Sequence, residues 1–231
     1  MQEFHERIAR PALTAAAEFG FVLAGGYALS ANGIGDRPSE DVDLFTNRFD
    51  PETFRSALAR VCDALTGAGF DVTDDLRGPT FADVHVRDAA TGETVSIQLG
   101  VNYREFPPAQ IQIGPVLDVR DAVAGKMSAL WSRGEVRDFI DIYSVLESGT
   151  FTREEVLALG DQQEATPMDR RMLAQRFRMP HDASERGKYG PRQFALYGID
   201  ARARAALIDR FSRWAREIDP SPEHNAVEDR T

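Results

Sequence analysis

Hydrophobic positions along the chain follow two regimes. Short apolar runs and alternating stretches dominate to about residue 115, and a helical period takes over beyond it. Residues 2–18 place Phe4, Ile8, Leu13 and Ala16 near one face of a helix, with Pro11 predicting a kink or a split. FVLAGG at 21–26 reads as a short buried strand ending in paired glycines. YALSANG at 27–33 reads as a short helix closed by Gly33. IGDRPSE at 34–40 is a loop, and DVDLFTN at 41–47 is a strand. Residues 51–68 predict a helix, opened by Pro51 after Asp50 and striped by Leu58, Val61, Cys62 and Leu65. FDVTDD at 70–75 fits an edge strand. FADVHVRD at 81–88 and TVSIQLGVNY at 94–103 fit a hairpin. The stretch REFPPAQIQIGP reads as a loop.

Residues 118–132 predict a helix with Val119, Val123, Met127 and Leu130 on its buried side. A second helix is expected over 133–148, and a third from 151, where Thr152 and Glu155 form a capping box. Arg-rich helices then run to 217, broken over 179–192, and Trp131 and Trp214 read as core. The tail 218–231, with two prolines and little apolar content, is expected to be flexible. The fold class is therefore α+β, divided into an α+β domain at 1–115, a helical domain at 116–217 and a tail.

At 42% hydrophobic and 28% charged residues, the chain can bury a real core. No apolar run is long enough to span a bilayer, so no membrane association is expected. The N-terminal stretch lacks the basic and apolar regions of a secretory signal, which points to a cytoplasmic protein. A single cysteine, Cys62, excludes an internal disulfide and a cysteine-based zinc cluster. His5, His85, His181 and His224 show no metal-ligand spacing.

A net charge of −10 argues against a general nucleic-acid coat protein, but the charge is uneven. Residues 1–168 hold 14 Lys+Arg against 27 Asp+Glu, whereas 169–217 hold 12 against 6. Clustered cations such as Arg170, Arg171 and Arg176 suit an RNA contact; mutual attraction between the two parts, or plain solvation, accounts for the asymmetry equally well. Of 27 basic residues 25 are Arg, so the retained Lys126 hints at a need for a compact point charge rather than a planar fork, the alternative being chance retention on the exposed side of an amphipathic helix.

The chemistry concentrates in LAGGYALSANGIGDRPSEDVDLF, residues 23–45. Gly25 and Gly26 at a strand-to-helix turn let backbone N–H groups approach a phosphate. Asp41 and Asp43, alternate on a strand, project from one face. Two such carboxylates repel unless a cation lies between them, and Mg²⁺ takes oxygen ligands together with phosphates. Arg37 and Ser39, between the two groups, are candidates for contact with the β/γ-phosphates, although Ser39 alone would serve equally as a loop cap. Metal-assisted transfer of a nucleotidyl group from an NTP calls for this combination.

Gly25-Gly26, Arg37-Pro38-Ser39 and Asp41-Val42-Asp43-Leu44-Phe45 resemble motif I of the DNA polymerase β-type nucleotidyltransferase superfamily. A second block, Lys126, Ala129-Leu130, Arg133-Gly134 and Arg137-Asp138-Phe139-Ile140-Asp141, is similar to the abortive-infection toxins of the AbiEii/AbiGii family. The resemblance covers residues 20–148 and implies a small mixed sheet flanked by helices, with a helical part completing the active site. It implies that Asp41 and Asp43 bind Mg²⁺ and that Lys126 contacts the triphosphate. Either Asp138 or Asp141 would orient Lys126 or act as a base, the bland alternative being surface ion pairs with Arg133 and Arg137. One departure matters: where the superfamily often has a third acid on a later strand, Gln98 stands here, a poor Mg²⁺ ligand and no base. Asp83 and His85 on the hairpin's other strand are possible substitutes.

The expected activity is transfer of an NMP from an NTP to an acceptor, which the resemblance implies is RNA, the tRNA 3′ end, with the protein acting as a toxin that has a cognate antitoxin. Transfer to an aminoglycoside-like small molecule or a protein hydroxyl is the second expectation. A weakened nucleotide-binding regulator, motivated by Gln98, is the third.

Overall fold

A computed structural model of the chain describes residues 1–181, 184 and 187–219; of the expected tail, residues 220–231 lie outside the described residues, as does His224. The chain divides into two compact units, one from Met1 to Gly125 and one from Lys126 onward.

The first unit is built on a seven-stranded sheet. Its strands are β1 (Val22–Leu23), β2 (Asp41–Thr46), β3 (Phe70–Arg77), β4 (Phe81–Asp88), β5 (Thr94–Val101), β6 (Ala109–Ile111) and β7 (Gly114–Val116), in the spatial order β3-β4-β5-β2-β1-β7-β6. The sheet is mixed: β2 runs parallel to β5 and β1 parallel to β7, and the other neighbours are antiparallel. Alternation sets the two faces. Val42, Leu44, Ala82, Val84, Val86, Ile97 and Leu99 are buried on one. Asp41, Asp43, Asp83, Ser96 and Gln98 lie half-buried, and His85 exposed, on the other.

Helices α1 (Glu3–Ala16) and α3 (Pro51–Gly67) pack together and against this sheet. Helix α1 contributes Ile8, Ala9, Ala12, Leu13 and Ala16, and α3 contributes Phe54, Ala57, Leu58, Val61 and Leu65, all buried. Asp50 caps α3 by accepting a hydrogen bond from Thr53 N. Helix α1 continues past Pro11, so the proline does not split it in two. An interior proline costs a helix about 3 kcal/mol, and burial of the apolar stripe on both sides of it offsets that cost. The stretch read as a loop, REFPPAQIQIGP, contains β6 and most of β7, which pair with each other before β7 joins β1 through Leu23 and Val116. Three-residue strands are too short to show a period, and the two adjacent prolines hid them. Helix α2 (Gly25–Ala31) begins two residues earlier than expected, on the paired glycines.

Helix α4 (Val119–Ser132) begins in the first unit and continues into the second. The second unit is helical: α5 (Val136–Glu147), α6 (Arg153–Gln163), α7 (Arg170–Arg178), α8 (Pro191–Ala195) and α9 (Ala201–Ile218). Thr152 caps α6 in the predicted box with Glu155. Aromatic rings form the core here. Phe177 stacks on Trp214 with centroids 4.5 Å apart, and Phe211 meets Phe139 edge-on at 5.1 Å. Trp214 is fully buried as expected, but Trp131 is only half-buried. Among the described residues no helix is long and apolar enough to cross a membrane.

The basic segment is largely committed to the fold. Arg170 pairs with Asp161. Arg176 donates to the carbonyls of Trp131 and Ser132 at the end of α4. Arg204 donates to the carbonyls of Pro180 and Tyr189, and Arg210 to that of Leu146. Arg176 and Arg210 thereby satisfy carbonyl groups that the C-terminal ends of α4 and α5 leave open. Arg192, Arg202 and Arg216 are exposed, with no ion pair or hydrogen bond among the described residues.

Candidate active site

The first cluster of site residues gathers where β1 turns into α2. Ala24 N donates to the carbonyl of Asp43 at 2.8 Å, which ties the turn to β2. Gly25 follows with φ +60°, in the left-handed region. A Cβ on Gly25 would lie 1.7 Å from Asp43 Oδ2, so the glycine leaves the space that the carboxylate occupies. With seven residues α2 is a minor dipole source, and steric room for Asp43 is the stronger reason for this glycine. At Gly26 a Cβ would come within 3.2 Å of both Arg37 Nη2 and Ser39 Oγ.

Asp41 and Asp43 lie side by side on β2, both half-buried. Ser39 is buried, and its hydroxyl donates to Asp41 Oδ1 at 3.3 Å. Its own carbonyl accepts from Gln2 at 3.2 Å, so the start of α1 holds the loop that carries it. The structure thus brings Gly25, Gly26, Arg37, Ser39, Asp41 and Asp43 together within the first unit.

Two further side chains join this cluster that sequence reasoning left as ordinary. His5 on α1 is buried, and its Nδ1 lies 2.6 Å from the hydroxyl of Tyr27 on α2. Burial lowers the His5 pKa, opposed by the negative charge of Asp41, and burial raises that of Tyr27. The only signal available was the place of His5 beside Phe4 in the buried stripe of α1.

The second cluster lies in the helical unit. Lys126 on α4 is 8% exposed, and its ammonium is 2.8 Å from Asp141 Oδ2 on α5, itself 3% exposed. Asp138 is engaged differently. It is fully buried, accepts two hydrogen bonds from the Arg133 guanidinium and one from Glu135 N, each at 2.9 Å, and completes the capping box that opens α5. Of the two acids, Asp141 is therefore the partner of Lys126, and Asp138 holds the start of the helix. Gly134, between the two helices, has φ +54°, and a Cβ there would meet Arg176 Cδ at 2.7 Å.

Whether the first cluster suits a divalent cation follows from its donors. Two carboxylates on one strand face, one of them in a notch that any Cβ at residue 25 would fill, form a hard-oxygen pair. Among the described residues no group of three or more His, Cys, Asp or Glu is arranged to hold a metal alone. Mg²⁺ commonly binds through one or two carboxylates, with substrate phosphates and water completing its octahedron. The residues present fit such an ion in company with a nucleotide.

Comparisons with known proteins agree with this architecture. The family model described as nucleotidyl transferase AbiEii toxin, type IV toxin–antitoxin system, matches residues 9–226. Among solved structures, the nucleotidyltransferase toxin MenT4 of Mycobacterium tuberculosis H37Rv is similar over 94% of this chain and 89% of its own, at 20% identity and a TM-score of 0.54. JHP933 from Helicobacter pylori is similar over 94% of this chain and 93% of its own, at 18% identity and a TM-score of 0.53. No curated protein matches significantly. The structural likenesses establish a shared fold, a mixed sheet followed by a helical part. The family match spans both clusters, and the chain accordingly belongs to the AbiEii family of nucleotidyl transferase toxins.

Proposed function

We propose that this toxin transfers a nucleoside monophosphate from a Mg²⁺-bound NTP to an RNA hydroxyl, the tRNA 3′ end being the preferred acceptor. The observation that carries the reading is the Asp43 carboxylate seated in the space Gly25 leaves, beside Asp41. Asp41 and Asp43 would hold the ion, which when bound neutralises phosphate charge and polarises the α-phosphorus. Ser39 keeps Asp41 oriented through its hydroxyl. Arg37, facing the glycine turn, is assigned to the phosphates. Lys126, kept oriented by Asp141, is assigned to the triphosphate as a compact cation. Asp138 supports that arrangement through the start of α5.

An RNA acceptor draws support from the exposed cations Arg192, Arg202 and Arg216, although most of the basic segment is occupied within the fold. A type IV system further suggests an antitoxin that opposes the effect of the toxin.

The test follows the label. The protein is incubated with Mg²⁺, each α-labelled NTP in turn, and a mixture of total RNA, protein and aminoglycoside. Label in RNA is expected, and label only in protein or drug overturns the RNA assignment. Asp43→Asn should abolish transfer and Mg²⁺-dependent NTP binding together, and undiminished transfer by that variant overturns the assignment of the ion pair.

A further inference from the structure

A hydroxyl–imidazole pair stands on the same sheet face as Asp41 and Asp43. Ser96 on β5 is directly paired with Asp41 on β2, and His85 on β4 is directly paired with Ser96. Directly paired residues point to the same face, so Asp41, Ser96 and His85 form one row across three strands. Ser96 Oγ lies 2.8 Å from His85 Nδ1. Ser96 is half-buried and His85 exposed, so solvent reaches the ring. A hydroxyl within hydrogen-bond reach of an imidazole is the arrangement that activates an otherwise weak nucleophile. Neither side chain has a part in the nucleotide site described above.

The direction of attack favours this hydroxyl. The glycine turn and the Arg37 guanidinium beside it, which face the phosphates in that reading, lie where β1 ends. Strand β1 borders β2 on the side opposite β5. In phosphoryl transfer the attacking and leaving oxygens lie roughly in line. Pyrophosphate departing toward the glycine turn therefore calls for a nucleophile from the β5 side, and Ser96 stands there. Adjacent strands are about 4.8 Å apart, so the Ser96 side chain reaches the space in front of Asp41. With Nδ1 unprotonated, the Ser96 O–H donates toward β4, which leaves the oxygen lone pairs on the β2 side.

We propose that Ser96 is a site of self-modification, its hydroxyl taking a nucleoside monophosphate from bound NTP when no other acceptor is present; this rests on the nucleotidyl-transfer reading above. As Ser96 Oγ forms its bond to the α-phosphorus, the hydroxyl proton passes to His85 Nδ1. The bond from the α-phosphorus to the bridging oxygen breaks, and pyrophosphate leaves with the electron pair. The exposed His85 ring then returns the proton to solvent. The product is a serine phosphodiester beside the paired carboxylates, where it bars the next NTP. A toxin short of its acceptor thereby silences itself.

The test uses the full chain, incubated with Mg²⁺ and each α-labelled NTP in turn, without acceptor, and then denatured. Label should remain on the protein, survive acid, add the mass of a nucleoside monophosphate and map to the peptide bearing Ser96. Ser96→Ala should lose the label while keeping Mg²⁺–NTP affinity, read by calorimetry, within about threefold. His85→Gln should slow labelling about a hundredfold. The labelled chain should be inactive toward whichever acceptor class the fresh protein modifies. Protein that modifies an added acceptor but never itself overturns the inference. So does label that persists in Ser96→Ala, label lost in acid as a phosphoramidate of a histidine ring, or Mg²⁺–NTP affinity lost with the Ser96 hydroxyl. Labelling of His85→Gln at the wild-type rate, or full activity in the labelled chain, overturns it equally. Protein that modifies neither itself nor any acceptor class overturns the nucleotidyl-transfer reading instead.

Discussion

Gly25 shows how much of a candidate active site can depend on a missing side chain. It has a left-handed backbone and leaves room for a carboxylate at the same time. Gly25→Ala meets both demands badly. The backbone alone costs about 1–2 kcal/mol for an L-residue, and the new methyl must displace Asp43. Nucleotide transfer should fall at least as far as in Asp43→Asn, with a lowered thermal midpoint; steady-state turnover and a melting curve check the pair of effects. At this scale the sequence was partly readable. The spacing of Asp41 and Asp43 on a strand named the pair, because a period of two needs no tertiary information. The reason for Gly25 was not readable, because it depends on a side chain eighteen positions away.

Among the elements, α4 and α5 bring together a buried cation and a buried anion. Removing one member of such a pair leaves the other charge uncompensated and costs about 3–5 kcal/mol, whereas replacing both with apolar groups is often close to neutral. Asp141→Asn should therefore lower stability more than Lys126→Met combined with Asp141→Leu, as measured by urea unfolding midpoints, and both should lack transfer activity. The run RGEVRDFID illustrates what a motif conceals. Its acids are three positions apart on one helix, and periodicity gives them equal standing. The structure separates them: Asp138 is the third helical residue, where a carboxylate closes the capping box, and Asp141 faces Lys126. The capping box at Thr152 was legible because its donors and acceptors are local. Strands β6 and β7 were not, because three-residue strands exist only by virtue of the neighbours they pair with.

Charge is the property of the whole molecule that the sequence most overstated. An excess of six positive charges over 169–217 suggests an open cationic surface, yet several of those arginines satisfy helix-end carbonyls or partner acids inside the fold. Residue counts record charge but not its commitments. The useful variants for RNA binding are consequently Arg192→Glu, Arg202→Glu and Arg216→Glu rather than changes at Arg170 or Arg176, which also disturb packing. Each should weaken tRNA binding, and Arg→Ala at the same positions should each reduce the slope of log affinity against log salt by about one. Filter binding across a salt series measures both, and unchanged slopes would locate the RNA contact elsewhere.

The steric dependence of Asp43 on residue 25 also offers a practical route to a disarmed protein. One added methyl group would silence this toxin without altering any ionisable residue. The charge pattern of the exterior would be left in its native state, and cells could then produce the chain in quantity.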